Sequence, residues 1–274
     1  MVRKVKTGNI AFGEKSIFVF IGGPCVIEDE SSALFHAEEL LNISYDLKIP
    51  FVYKSSFDKA NRSSLYSYRG PGIKKGLDIL EKVKKKFNVP ILSDVHSVED
   101  IRIVKDVLDI IQVPAFLCRQ TDIIVSAAKA GKIINVKKGQ FLSPWEVSNV
   151  IEKIISQGNK NILITERGFS FGYNNLVTDF RSIPIIRQMG YPVIFDATHS
   201  VQMPGAGGNA SGGKREYIPV LSKCAIAAGA DGIFLEVHRS PNEAKCDGPN
   251  SLPLKELKNL LKVLIEIKKA INIK

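Results

Sequence analysis

Short apolar segments alternate with longer amphipathic segments along the whole chain. The apolar segments are rich in Ile and Val and end at polar residues, which is typical of strands buried in a parallel sheet. The pattern predicts eight strands, at residues 17–21, 51–53, 91–93, 110–113, 133–136, 162–165, 193–195 and 232–235.

Each predicted strand is followed by a segment whose apolar residues recur with helical spacing. The predicted helices lie at residues 32–46, 73–87, 98–107, 121–130, 144–156, 180–189, 217–228 and 254–270. Eight strand and helix pairs favour a closed (β/α)8 TIM barrel over an open doubly wound sheet, which usually has fewer strands. No segment has the composition of a linker, so we expect a single α/β domain spanning residues 1–274.

The segment before the first predicted strand has a different pattern. Residues 5–15 contain Gly8 and Asn9, a pair that favours a tight turn. We expect an N-terminal hairpin that closes the bottom of the barrel.

Composition narrows the class of protein. The chain has 274 residues, of which 45% are hydrophobic and 24% charged, and no apolar run is long enough to cross a bilayer. Its four cysteines form no CxxC pair, and the apolar stretch near the N-terminus is too short and interrupted for a signal peptide. We therefore expect a cytoplasmic protein with reduced thiols and no membrane partner.

The net charge of +10 raises the alternative of a basic nucleic-acid-binding protein that has a barrel fold. Its lysine clusters, at residues 82–87 and at the C-terminus, lie on predicted amphipathic helices, where a solvated face is the ordinary interpretation. No nucleic-acid-binding motif is present, so we expect no nucleic-acid partner. The charge can instead concentrate a small anionic substrate.

Four residues suited to one divalent metal ion follow predicted strands: Cys25, His199, Glu236 and Asp247. A thiolate, an imidazole and two carboxylates favour zinc, iron or manganese over magnesium. Each residue alone is more often structural or solvated. The prediction of a metal site rests on their equivalent places in a repeated architecture.

Further polar residues stand where the predicted strands end. They are Lys54, Lys59, Asp94, His96, Gln112, Lys137, Lys138 and Arg167. Several positive charges at one barrel mouth predict bound phosphate and carboxylate groups. Arg62 and the hydroxyls of Ser63 and Ser64 form a set able to hold a second phosphate.

The glycine-rich segment at residues 205–213 has two interpretations. A dinucleotide-binding loop would need tighter glycine spacing and an acidic residue about twenty positions later. Since both are missing, we expect a mobile lid loop beside the barrel mouth.

Long motifs over almost the whole chain resemble the 3-deoxy-D-manno-octulosonate 8-phosphate synthase family. The matching segments are GPCVIE, KSSFDKANRSS, SDVH, IIQVPAFLCRQTD, NVKKGQFLSPW, TERG, FGYNNLV, DFRS, DATHSVQ and SGGKREY. The related 3-deoxy-D-arabino-heptulosonate 7-phosphate synthases share several of these, but usually have KPRTS where this chain has KANRSS. The heptulosonate enzymes are the alternative family.

The resemblance implies condensation of phosphoenolpyruvate with D-arabinose 5-phosphate and water, in a homotetramer that makes a precursor of lipopolysaccharide. It implies that phosphoenolpyruvate is held by Lys54, Lys59, Gln112, Lys137 and Arg167. It implies that the pentose phosphate is held by Asn61, Arg62, Ser63 and Asp94, with Arg119 reaching the sugar of a neighbouring subunit. His96 is expected near the reacting water, and Asp94, His96, Lys59 and Lys137 are the expected catalytic residues.

The resemblance also bears on the metal. Metal-dependent members of the family have Cys in the GPC motif and metal-independent members have Asn there, so Cys25 predicts one divalent ion per subunit. Two roles for the ion stay open: activating water or positioning the sugar. Zinc, iron and manganese all stay open as its identity.

Overall fold

A computed structural model describes residues 2–205 and 212–272. Its centre is a barrel of eight parallel strands: β1 (Val19–Gly23), β2 (Phe51–Lys54), β3 (Ile91–Asp94), β4 (Ile110–Val113), β5 (Ile133–Lys137), β6 (Ile162–Glu166), β7 (Val193–Asp196) and β8 (Gly232–His238). Consecutive strands are neighbours, and pairing of β8 with β1 closes the sheet. The predicted TIM barrel is confirmed.

In the described part of the chain, eight α-helices cover the outside of the barrel: α1 (Glu30–Leu47), α2 (Ile73–Phe87), α3 (Val98–Val104), α4 (Thr121–Lys129), α5 (Val147–Ile155), α6 (Ser182–Gln188), α7 (Ile218–Ala227) and α8 (Leu254–Ala270). Their starts are set partly by side-chain caps. Asp29 accepts a hydrogen bond from Ser32 N, and Ser97 and Asp100 form a capping box. The largest differences from the predicted bounds are the earlier end of α3 and the later start of α5.

The expected N-terminal hairpin is present. Val5–Thr7 pairs antiparallel with Ile10–Phe12, and Gly8 makes the turn with a φ of +51°. Val5 and Phe12 are fully buried against the lower interior of the barrel. The apolar side chains that they meet are Val19, Ile21, Val52, Leu92, Ile110, Ile133, Leu163, Ile194 and Phe234. In the described residues, the hairpin therefore closes the amino-terminal end of the barrel. The cavity described below lies at the carboxyl ends of the strands.

A second, larger apolar layer lies between the strands and the helices. Phe20 of β1 and Phe51 of β2 stack there with ring centroids 5.4 Å apart. Each fully buried side chain of this kind contributes roughly 1.5–3 kcal/mol of transfer free energy. With both faces buried, the strands are rigid supports for the loops that follow them.

The loops after the strands contain two short ladders that the sequence pattern did not predict. Phe169–Ser170 pairs with Leu176–Val177, and Gln202–Met203 pairs with Gly212–Gly213. Most of the expected lid loop, residues 206–211, lies outside the described residues. Among the helices of residues 2–205 and 212–272, none has the length and apolar character needed to cross a membrane.

Candidate metal and anion site

A cavity of about 570 Å³ opens at the carboxyl ends of the strands. Parallel strands deliver the residues that follow them to this one face, as expected for a TIM barrel. The predicted residues that line the cavity are Lys59, Asn61, Arg62, Ser63, Asp94, His96, Lys137, Arg167, His199 and Asp247. Four others, Cys25, Lys54, Gln112 and Glu236, are buried in contact with these residues. Three further predicted residues do not line the cavity: Ser64, Arg119 and Lys138, whose buried Nζ lies 3.6 Å from Glu166.

The four predicted metal ligands lie next to one another around Asp247. Nε2 of His199 lies 3.6 Å from Oε1 of Glu236 and 3.7 Å from Oδ2 of Asp247. The thiol of Cys25 lies 3.1 Å from the same Asp247 oxygen. Metal–ligand bonds of about 2.0–2.3 Å in a tetrahedral site put ligand atoms roughly 3.3–3.8 Å apart, and the distances from His199 to Glu236 and Asp247 fall in this range. Cys25 adjoins this set through Asp247, with which it and Cys246 form a second group of donors.

An unpaired oxygen supports the same interpretation. Oε2 of Glu236 is buried and has no hydrogen-bond partner among the described residues. A buried carboxylate oxygen without a partner is costly, and a metal bond would satisfy it. The residues present therefore fit a divalent cation.

Burial and neighbouring charges shift the pKa values of the side chains in the cluster. Burial, with Cys246 and Glu236 nearby, raises the pKa of the Cys25 thiol well above its ordinary value. Burial also opposes ionisation of Asp247, but His199 outweighs it and lowers the pKa of that carboxyl. Since a metal binds the thiolate, ion binding at Cys25 must release a proton.

Asp196, at the end of β7, connects the predicted metal ligands with Lys137. Its buried Oδ2 lies 2.8 Å from Nδ1 of His199 and 2.6 Å from Nζ of Lys137. Burial opposes its ionisation, but His199 and Lys137 outweigh this and hold the pKa of Asp196 well below its usual value. Burial lowers the pKa of Lys137, although Asp196 favours its charged form. The carboxylate fixes the ring so that Nε2 faces the other ligands.

Sequence analysis missed Asp196. It stands three residues before His199, directly at the end of a predicted strand. That position was the available signal, since the same placement singled out Asp94. A carboxylate that orients a metal-binding His is a common partner, but the sequence did not indicate which carboxylate faces the ring.

The lysines of the site are paired with carboxylates. Nζ of Lys54 lies 3.2 Å from Glu236, while Nζ of Lys59 lies 3.8 Å from both Glu236 and Asp94. Burial opposes the ionisation of Asp94, but Lys54 and Lys59 outweigh it and lower the pKa of Asp94 far below the ordinary range. The expected accumulation of positive charge is thus partly compensated within the protein.

A row of polar side chains holds Asp94 from below. Asp94 accepts hydrogen bonds from Ser56 and Gln112. Oε1 of Gln112 accepts from Asn135 at 2.7 Å, and Asn135 in turn accepts from Thr165 at 2.7 Å. Gln112 therefore helps to hold the Asp94 carboxylate in place at the cavity.

Arg167 spans the floor of the cavity. It donates to Gln140 at 3.1 Å, to the His199 carbonyl at 3.2 Å and to Gln202 at 3.1 Å. Gln202 also donates to Asp247 at 3.4 Å. Sequence analysis assigned no role to either glutamine, although both follow strands in segments of the resemblance.

The loop with Asn61, Arg62 and Ser63 forms one wall of the cavity and is more exposed. Arg62 donates to the carbonyl of Tyr68 at 3.0 Å and to the carbonyl of Lys245 at 3.1 Å. The second bond joins this wall to the loop that contains Asp247.

Two predicted residues lie at the periphery. His96 is half-buried at the cavity wall, with Nε2 3.1 Å from the carbonyl of Asp58. Arg119 is exposed and lines a separate groove with Glu146 and Lys153. Arg119 therefore does not line the cavity of its own chain.

Comparisons with known proteins agree with this geometry. A model of the DAHP synthetase I family matches residues 2–273. The chain is 56% identical over 264 residues, 96% of this chain and 97% of the relative, to the 2-dehydro-3-deoxyphosphooctonate aldolase of Trichlorobacter lovleyi. It is 58% identical over 271 residues, 98% of this chain and 97% of the relative, to the enzyme of the same name from Desulfosudis oleivorans. With the barrel, the cationic cavity and matches of this extent, the chain belongs to the DAHP synthetase I family.

Proposed function

We propose that this protein condenses phosphoenolpyruvate with D-arabinose 5-phosphate and water to give 3-deoxy-D-manno-octulosonate 8-phosphate and inorganic phosphate. The main observation is the placement of Lys59, Lys137 and Arg167 in one cavity with the cluster of metal-ligand residues. The name of the relatives denotes the same enzyme, a synthase of an eight-carbon product. A three-carbon donor and a five-carbon aldose supply those carbons.

Phosphoenolpyruvate lies on the basic side of the cavity in this proposal. Lys137 and Arg167, both buried, bind its phosphate and carboxylate by charge-assisted hydrogen bonds. Lys59 lies at the boundary with Asp94, and Lys54 and Gln112 support the site from behind. Buried and paired side chains bind a planar anion with little loss of side-chain entropy.

The pentose phosphate occupies the wall formed by the loop after β2. Arg62 and the polar groups of Asn61 and Ser63 bind its phosphate, and Asp94 contacts its hydroxyls. This arrangement directs the aldehyde toward phosphoenolpyruvate. The methylene carbon of phosphoenolpyruvate bonds to the aldehyde carbon, water adds to the neighbouring carbon, and cleavage of the carbon–oxygen bond releases phosphate.

Ionisable side chains lie beside the proposed reacting atoms. His96, at the cavity wall, lies near the reacting water. Lys59 and Lys137 stabilise the negative charge that develops on oxygen, and Asp94 keeps both the lysines and the sugar in place. Fixed charges of this kind supply most of the stabilisation in such reactions.

One divalent ion per subunit, held by Cys25, His199, Glu236 and Asp247, completes the site. When bound, zinc, iron or manganese supplies a positive charge that orients a sugar hydroxyl or a water. Lys59 lies 3.8 Å from Glu236. If Glu236 also bound a cation, its ion pair with Lys59 would be weaker and the Lys59 ammonium would be more available to an anionic substrate.

The proposed assembly is a homotetramer. Large exposed aromatic side chains occur in the loops after β4, β5 and β6: Phe116, Trp145 and Phe171 are 54%, 65% and 71% exposed. Exposed aromatic groups on neighbouring loops are typical of protein interfaces. Arg119 follows Phe116 in the same loop, so this interface would bring it to the sugar phosphate of the adjacent subunit.

Phosphate release with alternative sugars tests the proposed function. We expect turnover that requires phosphoenolpyruvate together with arabinose 5-phosphate. Preference for erythrose 4-phosphate would instead establish a heptulosonate 7-phosphate synthase, the activity in the name of the matching family. Absence of turnover with either aldose, in metal-loaded protein, would contradict both.

A further inference from the structure

A second thiol adjoins the proposed metal site. Cys246 directly precedes Asp247, is only 4% exposed, and lies with Sγ 3.4 Å from Oδ2 of that carboxylate. The thiol of Cys25 approaches the same oxygen at 3.1 Å. The two sulfurs and the Asp247 oxygen all lie within 4.8 Å of one another.

The backbone around Cys246 is held in place from both sides. The amide of Lys245 donates to Glu28 at 2.9 Å, and its carbonyl accepts from Arg62 at 3.1 Å. Asp247 has a φ of +48°, a left-handed conformation that few residues other than glycine adopt and that Asp tolerates better than most. These contacts direct Cys246 toward Cys25.

Two overlapping sets of donors share Asp247. His199 and Glu236 form one set with it, and Cys25 and Cys246 form the other. The first set offers nitrogen and oxygen, which suit manganese and iron; the second offers two sulfurs, which soft ions prefer. Since ligand type selects among metals in proteins, the two sets favour different ions.

We propose that Cys246 is an additional ligand for thiophilic ions, so that zinc and cadmium bind closer to Cys25, Cys246 and Asp247 than manganese does. Manganese does not use Cys246. This inference rests on the proposed metal dependence and adds a residue to the ligand set. A soft ion drawn toward the two thiolates interacts less with His199 and Glu236, so we expect cadmium to support less turnover than manganese.

Ultraviolet absorption of the cadmium-loaded protein tests the proposal, because the thiolate-to-cadmium band grows with each cadmium–sulfur bond. We expect Cys246→Ser to reduce the absorbance per bound cadmium to about half. Its cadmium affinity should fall about tenfold or more, while its manganese affinity changes less than twofold. Cys224→Ser, which removes an exposed thiol elsewhere, is the matched control.

The outcomes separate this proposal from the proposed function. A Cys246→Ser protein that keeps the full cadmium band would overturn the role of Cys246 even if manganese-dependent turnover is normal. If the unmodified protein binds neither ion, the metal dependence itself is wrong. Cys246→Ala, with circular dichroism to verify folding, must give the same loss of absorbance as Cys246→Ser.

Discussion

The cluster of proposed metal ligands and the cavity wall proposed to bind the sugar phosphate are built differently. Glu236 lies on β8, His199 and Cys25 follow strands closely, and their side chains are almost completely buried. Arg62 lies on a long loop after β2, half-exposed and fixed by two carbonyl oxygens. The cluster thus depends on the barrel itself, whereas the proposed sugar selection depends on a loop that can change without disturbing the barrel.

Removal of the metal should have the largest effect. We expect a chelator to abolish turnover and a divalent ion to restore it. Without the ion, the buried ligand side chains lack the positive charge that would compensate them and orient the substrate. Phosphate release before and after reconstitution measures this. Full turnover in protein verified to be metal-free would contradict the role of the cluster.

Cys25→Asn should weaken metal binding without changing Lys137 and Arg167, the cationic side chains proposed to bind phosphoenolpyruvate. Asn is a poor ligand for a soft ion, so metal affinity should fall about 100-fold. Lys137 and Arg167 are untouched, and we expect reduced turnover that no longer responds to chelator.

The control for this variant is Cys224→Asn, at an exposed position. If folded Cys25→Asn protein binds phosphoenolpyruvate without any metal-free turnover, the ion does more than position the substrates.

Asp196→Asn should weaken the contacts that join His199, a proposed metal ligand, to Lys137. The amide no longer offers His199 and Lys137 the negative charge that both contact in the unmodified protein. We therefore expect kcat/KM to fall about 10- to 100-fold, together with metal affinity. Asp179→Asn makes the same change at an exposed ion pair and should have little effect. Titration with metal, alongside steady-state kinetics, measures both effects; unchanged metal affinity would contradict the orienting role.

Arg62→Ala should affect the opposite wall. Loss of charge-assisted hydrogen bonds of roughly 1.5–3 kcal/mol should raise the KM for arabinose 5-phosphate about 10- to 100-fold, with little change for phosphoenolpyruvate. Arg69→Ala, in the same loop, breaks an exposed pair with Asp58 and is the control. A fall in metal affinity without a change in the sugar KM would mean that Arg62 only ties the two loops together.

Arg119→Ala tests whether the wall is completed by a second subunit. We expect a smaller rise in the sugar KM, about tenfold, because Arg62 remains to bind the phosphate. Mixed with subunits that carry an inactivating Lys137→Ala change, it should recover part of the activity. No recovery in verified mixed tetramers would place the whole site within one chain.

The sequence alone was sufficient for the architecture. Apolar segments of strand length alternating with amphipathic helices predicted every barrel strand, because burial on both faces requires continuous Val, Ile and Leu. The turn at Gly8 likewise predicted the hairpin. Position at strand ends identified Cys25, His199 and Glu236 as neighbours, since a parallel barrel brings all strand ends to one face.

Only the tertiary structure decided the contacts between these groups. Asp196, at the end of β7, contacts His199 in the loop that follows it and reaches across β6 to Lys137 at the end of β5. The sequence predicts the order of these strands but not which side chains meet across them. Cys25 and Asp247 meet across 222 positions of the chain. Strand periodicity determines which residues point inward, but the distances between side chains from different loops depend on how the closed barrel packs.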